Sequence, residues 1–424
     1  MDERGEYRNG VKLDFILNPK KILYIEINLD GTIGGSHHCL YEMVRYIHRD
    51  KYVPSVLFFQ DNPLVPEFQK VCDVHIWRVD SGLVLERDFP ALHNFLIKSY
   101  LLKKIALFFQ KAFNFFGSYI PNLVAIYKYI KNNKIDLVHA NNSPDLTDWL
   151  IVSKILNVKI VSHLRFPWGP TAGRRLLINC YDKIIAISEY VANQLTAIGV
   201  SGGNVVTIHD GIDIDLLEKT KIPSADIYNE FNIPSDAHVI GVIGNIRRWK
   251  GQHVAIDSMQ YLIGKYKDLR CVLVGEISNS EQDMEYLIYL KELTSKYELE
   301  NNIIFTGYRK DVLNILSRID ILVHTSVFPE PLGRVVLEGM IFRKPVIATN
   351  HGGPLECIED GISGFLVEPG NPEVLAEKIS FLLENREIAK RVGGNARKRV
   401  EEKFGIEINV RKIEDVYEDL LGKG

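Results

Sequence analysis

The sequence predicts an α/β protein of two doubly wound parallel domains facing a central cleft. Three observations carry this: short apolar runs alternate with helix-like segments, the alternation restarts after a polar stretch near Thr220 to His238, and 424 residues are too many for one core. The first apolar run begins at Lys21 and ends at a glycine-rich loop, Gly31-Thr-Ile-Gly-Gly-Ser36, with a helical segment from Leu40 to His48 behind it. Further strand-like runs lie at Val53 to Phe59, Leu137 to His139, Ile160 to His163 and Lys183 to Ile187. The second series is Val239 to Ile243, Arg270 to Val274, Ile303 to Phe305, Ile319 to Val323 and Pro345 to Ala348. Ile406 to Leu421 reads as one amphipathic helix. The expected division is an extension over 1–20, a first domain over 21–215, a linker over 216–237, a second domain over 238–404 and a last helix over 405–424.

Composition narrows the class. Hydrophobic residues at 46% and charged residues at 25% describe a globular chain rather than a disordered one. A net charge of -3 argues against a general nucleic-acid binder. The five cysteines are scattered, with no C-x-x-C pair or metal-ligand spacing, and fit a reducing cytoplasm. The polar start has no signal-peptide core, so export is not expected. The segment 95–134 stands apart, carrying Lys98, Lys103, Lys104, Lys111, Lys128, Lys131 and Lys134 among Tyr100, Phe108, Phe109, Phe113, Phe115, Phe116 and Tyr119. Such a segment suits contact with an anionic membrane but is too polar to span one. Two helices packed on the first domain with lysines in water is the other reading. The expected location is cytoplasmic, with peripheral membrane contact if the first reading holds.

The chemistry concentrates in Phe328-Pro-Glu-Pro-Leu-Gly-Arg-Val-Val-Leu-Glu-Gly339. Glu330, between two prolines, is held extended, while Leu332 to Phe342 reads as a helix opening near Gly333. The free N–H groups of that first turn, at Gly333, Arg334 and Val335, make a place for a diphosphate. Glu338 lies inside the helix, so the two carboxylates flank the same phosphate position. Arg247, Arg248 and Lys250 follow the first strand of the second domain and are aimed at the carboxyl edge of its sheet, where open α/β folds bind ligands.

These residues, with Lys344-Pro-Val-Ile-Ala-Thr-Asn-His-Gly-Gly-Pro-Leu-Glu356 and Gly244-Asn-Ile-Arg-Arg-Trp-Lys-Gly251, resemble the retaining, nucleotide-sugar-dependent glycosyltransferases of the family-4 type (group 1), which have the GT-B fold of two Rossmann-like domains. Phe305-Thr-Gly307 and Asp210-Gly-Ile-Asp213 extend the likeness, and in the first half it is carried by Gly34-Gly35, Asp136-Leu-Val-His139, Ser162-His163 and Ile187-Ser188. The resemblance implies a sugar moved from a nucleoside diphosphate, uridine- or guanosine-linked, to a saccharide or lipid-linked saccharide. It implies Lys250, with Arg247 or Arg248, on the donor phosphates, Gly34 and Gly35 approaching them from the first domain, and Glu338 on the ribose. Glu330 holds the sugar or acts as nucleophile, His163 stands near sugar and acceptor as the second catalytic candidate, and Gly307, Tyr308 and Arg309 mark the nucleobase side. His139 reads as structural. The family often carries an arginine at the position of Asn245, which this chain lacks. No Asp-x-Asp metal loop lies near the phosphate residues, so neither metal nor other cofactor is expected, the nucleotide sugar being a substrate. The last helix is implied to cross back to the first domain. Alternatives are a same-fold epimerase or a catalytically silent subunit; an oxidoreductase is disfavoured because the glycines are not spaced G-x-G-x-x-G.

Overall fold

The computed structural model describes residues 18–27, 34–78, 88, 90, 99–169, 176–219, 227–278 and 280–422. The extension before residue 18, Gly31, Lys98 and residues 220–226 of the linker lie outside the described residues. Two parallel sheets organise the chain. The first has seven strands in the order β3-β2-β1-β4-β5-β6-β7: β1 Lys20–Glu26, β2 Tyr52–Phe58, β3 Asp73–Ile76, β4 Leu137–Asn141, β5 Lys159–Leu164, β6 Lys183–Ala186 and β7 Val205–Thr207. The second has six in the order β10-β9-β8-β11-β12-β13: β8 Val239–Ile243, β9 Arg270–Val274, β10 Ile303–Gly307, β11 Ile321–His324, β12 Val346–Thr349 and β13 Phe365–Val367. The inner strands are buried along most of their length because helices cover both faces, and their polar residues, such as Glu26, Asn141 and His163, gather at the carboxyl ends. Strands β3, β7 and β13 were not expected from the sequence; each is three or four residues long and closes an edge, where little apolar surface is buried.

Six helices matter for the site: α1 Gly35–Tyr46, α2 Tyr100–Asn114, α3 Ile120–Asn133, α4 Gln252–Leu262, α5 Arg334–Ile341 and α6 Ile406–Leu421. Helix α6 packs on the first domain. Its Tyr417 hydroxyl lies 2.6 Å from His139 Nδ1 and 3.2 Å from the Tyr24 hydroxyl, and Glu414 takes the backbone N–H of His48 at 2.8 Å. His139 is thus a buried packing residue. The chain crosses between domains at two adjacent points: Ile212 N–H donates to Phe404 O at 2.9 Å, and Ile406 N–H to Ile212 O at 3.1 Å. Gly211 is required there, since a Cβ would come within 2.7 Å of Ile406 Cα. The Ile227–Glu230 helix, within the stretch assigned above to the linker, belongs with the second domain, where the Tyr228 hydroxyl donates to Arg318 O at 3.3 Å and Glu230 pairs with Arg309.

Candidate active site

The second-domain wall begins where β8 ends. Gly244 takes φ +152°, and the turn Arg248–Lys250 closes on Gly251 at φ +70°, a conformation L side chains rarely adopt; a Cβ there would also run into the Thr325 carbonyl. Thr325 Oγ1 donates to Lys250 O at 3.0 Å and Val327 N–H to Trp249 O at 2.8 Å, so this turn is sewn to the segment leading to Glu330. The result is a buried ion pair: Lys250 Nζ lies 2.7 Å from Glu330 Oε1 and 4.4 Å from the Trp249 ring centre.

Glu330 sits in the extended stretch the flanking prolines impose. Its other oxygen meets His324 Nε2 at 2.5 Å and the Ser326 hydroxyl at 3.1 Å. Burial pushes this carboxyl's pKa up, but His324 and Lys250 outweigh that and hold it well below the usual carboxylate range. His351, Gly352 and Gly353 strap the stretch from behind. His351 Nε2 lies 2.9 Å from Ser326 O, Gly353 N–H donates to Glu330 O at 2.7 Å, and a Cβ on Gly352 would stand 2.8 Å from Glu330 N. His324 and Ser326 were not singled out from the sequence; each is a common surface or strand-end residue until Glu330 is placed beside it.

Helix α5 opens at Gly333, φ +84°, where the sequence placed its opening, with Arg334 its first helical residue. Val336 N–H already bonds Gly333 O at 2.9 Å, which leaves the first-turn N–H groups of Arg334 and Val335 to meet a ligand. The Arg334 side chain is otherwise engaged: it reaches across the cleft to Glu42 Oε1 at 2.6 Å and Cys39 Sγ at 3.1 Å in α1, and lies 3.3 Å from Glu338 Oε1. Burial raises the pKa of Glu338, and Arg334 offsets only part of that rise.

Facing this wall across a cavity of ≈ 430 Å³ is the carboxyl edge of the first sheet. Gly34, Gly35 and Ser36 at the start of α1, Asn142 after β4, Arg165 and Phe166 after β5, and Asp210 line it opposite Glu330 to Arg334. A Cβ on Gly34 or Gly35 would meet nothing within 4 Å, so what their bareness keeps open is the cavity itself. Two helix N-termini, one from each domain, therefore flank one space.

Three of the expected groups lie off the cavity lining. His163 has 0% exposure, its ring 5.3 Å from that of His139, and burial drives its pKa well down; it is packed beneath the cavity wall and is not among the residues that line it. Arg165, two residues further and past the end of β5, holds the position on the cavity that was expected of His163. The sequence could have suggested this, because a strand's last inward residue is buried while its first loop residue reaches the edge. Neither Arg247 nor Arg248 pairs with Glu330 or lines the cavity: Arg247 Nε lies 3.6 Å from Asp283 Oδ2, and Arg248 stacks over Tyr289 at 5.5 Å, since the tight turn sends it away from Lys250. Arg309 is tied to Glu230 and, at 2.7 Å, to Asp311, which fits a structural post beside Gly307 (φ +68°) and Tyr308, 62% exposed.

A second contact joins the domains. The Glu356 carboxylate accepts from Glu189 N–H at 2.9 Å and Tyr190 N–H at 3.0 Å, at the first turn of the Glu189–Ala197 helix, and lies 2.8 Å from His209 Nε2. Second-domain Glu356 and Arg334 thus hold the first domain from two sides of the cleft.

The sequence pattern of the glycosyl transferases group 1 matches residues 224–399, and that of glycosyltransferase family 4 matches residues 33–216. Between them they take in both walls of the cleft, and the chain belongs to the group 1 glycosyltransferases. The capsular polysaccharide biosynthesis glycosyltransferase CapM of Staphylococcus aureus is 27% identical over 254 residues, 58% of this chain and 64% of that protein. Among solved structures, a glycosyltransferase from Rickettsia africae superposes with TM-score 0.76 at 24% identity, covering 96% of this chain and all of that one. Anabaena Alr3699/HepE in complex with UDP gives TM-score 0.75 at 23% identity over 94% of this chain and all of its own. These neighbours share the two-domain GT-B fold.

Proposed function

We propose that this glycosyltransferase moves a sugar from a uridine or guanosine diphosphate to a saccharide or lipid-linked saccharide, retaining the anomeric configuration and using no divalent metal. The observation that carries the reading is the cavity between two helix N-termini, one wall of which presents Glu330, itself paired with Lys250. The diphosphate lies at the Arg334 and Val335 N–H groups, with Lys250 close enough to meet the charge that develops as the glycosidic bond breaks. Glu330 accepts sugar hydroxyls. Its strong ionisation and three side-chain partners make it a poor base and a fixed one, which favours front-face attack, with the leaving phosphate oxygen taking the acceptor proton. Glu338 accepts ribose hydroxyls once Arg334 shares its carboxylate with them.

A membrane-borne acceptor fits helices α2 and α3. Between Asp88 and Asp136 the chain has seven lysines and no acidic residue, and Tyr100, Phe108, Phe109 and Phe116 are 65–75% exposed. Among the described residues no helix is long and apolar enough to cross a membrane. Surface polysaccharide or glycolipid assembly is the proposed role, CapM being a capsular polysaccharide biosynthesis glycosyltransferase. The test is a thermal-shift panel of uridine, guanosine and adenosine diphosphates and their sugars against wild type, Lys250→Ala and Glu338→Ala, with and without EDTA. UDP-glucose, crystallised with Alr3699/HepE, is the first donor to try. One nucleotide should raise the melting temperature, the rise being lost in both variants and unchanged by EDTA. No shift with any nucleotide refutes the donor site, and an inverted anomeric centre in the product, read by NMR, refutes retention.

A further inference from the structure

The first-domain wall holds a cation that the donor reading leaves unused. Arg165 is 9% exposed and stands at the carboxyl edge of the first sheet. Its Nε–H is shared between the two Asp210 oxygens at 2.9 and 3.1 Å, and Nη1 donates to Asn141 Oδ1. Asn141 in turn gives its Nδ2–H to buried Glu26, which fixes the amide's orientation and so the guanidinium's. A guanidinium has five N–H donors, so the two on Nη2 and one on Nη1 have no partner among the described residues. Arg165 lines the cavity, so these donors open onto it and are available to a ligand that enters. On either side of Arg165 the wall offers Asn142, at φ +71° in the left-handed region, and Phe166, 36% exposed, whose ring is an apolar face beside the charged one. Asn142 N–H donates to His163 O at 2.8 Å, so this corner is braced before any ligand arrives.

We infer that Arg165 is an oxyanion-recognition residue for the acceptor, and that the cleft takes an acceptor saccharide bearing a carboxylate or phosphate next to the hydroxyl it presents. The inference rests on the donor reading above, which gives the diphosphate to Lys250 and the start of α5 on the opposite wall. A planar fork held from behind by Asp210 and Asn141 presents its remaining N–H groups in the geometry that carboxylate and phosphate accept, which an ammonium does not reproduce. The Phe166 ring supplies the surface on which the apolar face of a sugar rests. A phosphate would come from a lipid-linked or phosphorylated saccharide, a carboxylate from a uronic acid.

The nucleotide titration is run first and alone, so that failure to bind any nucleoside diphosphate counts against the donor site only. Protein saturated with the nucleotide that binds, or free protein if none does, is then titrated with glucuronate, glucose 1-phosphate and glucose. Glucuronate or glucose 1-phosphate should bind at least about tenfold more tightly than glucose, and whichever of the two wins names the source of the charge. Arg165→Gln should abolish that preference while nucleotide affinity and circular dichroism stay unchanged; Arg165→Lys should keep it but several-fold weaker. If Arg165→Gln fails to fold, the lysine variant carries the test. Equal binding of charged and neutral sugars by wild type overturns the inference. So does a charge preference that survives in Arg165→Gln, or in full in Arg165→Lys, and so does loss of nucleotide affinity in a folded Arg165→Gln, which would assign the guanidinium to the donor phosphates.

Discussion

Gly353→Ala separates steric from conformational reasons for a glycine, and it acts on the catalytic loop from behind. Gly353 has φ -60° and ψ -37°, which alanine adopts without strain, and it caps a short helix where alanine would normally be tolerated. Propensity alone predicts no loss. The structure predicts a large one, because a Cβ at this position would lie 2.6 Å from both N and C of Leu332, where ordinary contact begins at 3.4 Å. The obstacle is backbone, so no rotamer change relieves it, and the Pro329–Leu332 stretch must move by roughly 1 Å. Overpacking costs about 1–3 kcal/mol, and against backbone the upper end applies. At about 2–4 °C per kcal/mol for a domain of this size, the melting temperature should fall by roughly 6–12 °C. The same displacement lengthens the Glu330 contacts to Lys250, His324 and Ser326, so donor turnover should fall by about a hundredfold. Gly394→Ala is the control: it lies in the Arg386–Lys403 helix, a Cβ there would meet nothing within 4 Å, and the change should stabilise by about 0.5–1 kcal/mol. Calorimetry with steady-state donor turnover reads both. A Gly353→Ala protein that melts within 1 °C of wild type (about 0.3 kcal/mol) and turns over normally would refute the reasoning.

Because the folded state holds Glu330 well below the ordinary carboxylate value of 4.5, the unfolded chain binds the extra proton on acidification. The stabilisation is fully present above that value and is lost as pH falls toward the folded pKa, so Glu330→Gln should flatten the acid limb of a stability–pH curve measured by urea melts. Glu356→Ala removes the carboxylate that caps the Glu189–Ala197 helix across the cleft, and should cost about 1–2 kcal/mol and enlarge the radius of gyration in solution scattering; an unchanged radius would show that the contact does not hold the cleft's spacing. Serine at Phe108, Phe109 and Phe116 together should abolish flotation with vesicles containing phosphatidylglycerol while leaving the melting temperature within about 1 °C, since exposed changes of this kind cost little. Neutral phosphatidylcholine vesicles should not float the wild type.

The central strands and Glu330 on its extended stretch were legible because each follows from local chemistry: short, mainly apolar runs, and a carboxylate between two prolines. Edge strands β3, β7 and β13 were not, since three or four half-buried residues carry too little pattern. The site's supporting shell was hidden for a different reason. His324, Ser326 and Gly353 gain meaning only when β11 and the loop after β12 are brought to opposite sides of Glu330. His163 and Arg165 look alike in sequence, a strand-end histidine and a loop arginine two residues later, and only the depth of β5 decides which one lines the cavity.

Helix α6 gives the first domain a debt to the end of the chain. Tyr417 and Glu414 fill space between β1, β4 and α1, yet the ribosome delivers them only after all of the second sheet has emerged. The first domain can collapse early but cannot close. Until its last helix arrives, a nascent chain leaves Tyr24, Tyr52 and His139 without the Tyr417 side chain that covers them, so the first domain completes its packing only after the second has been synthesised.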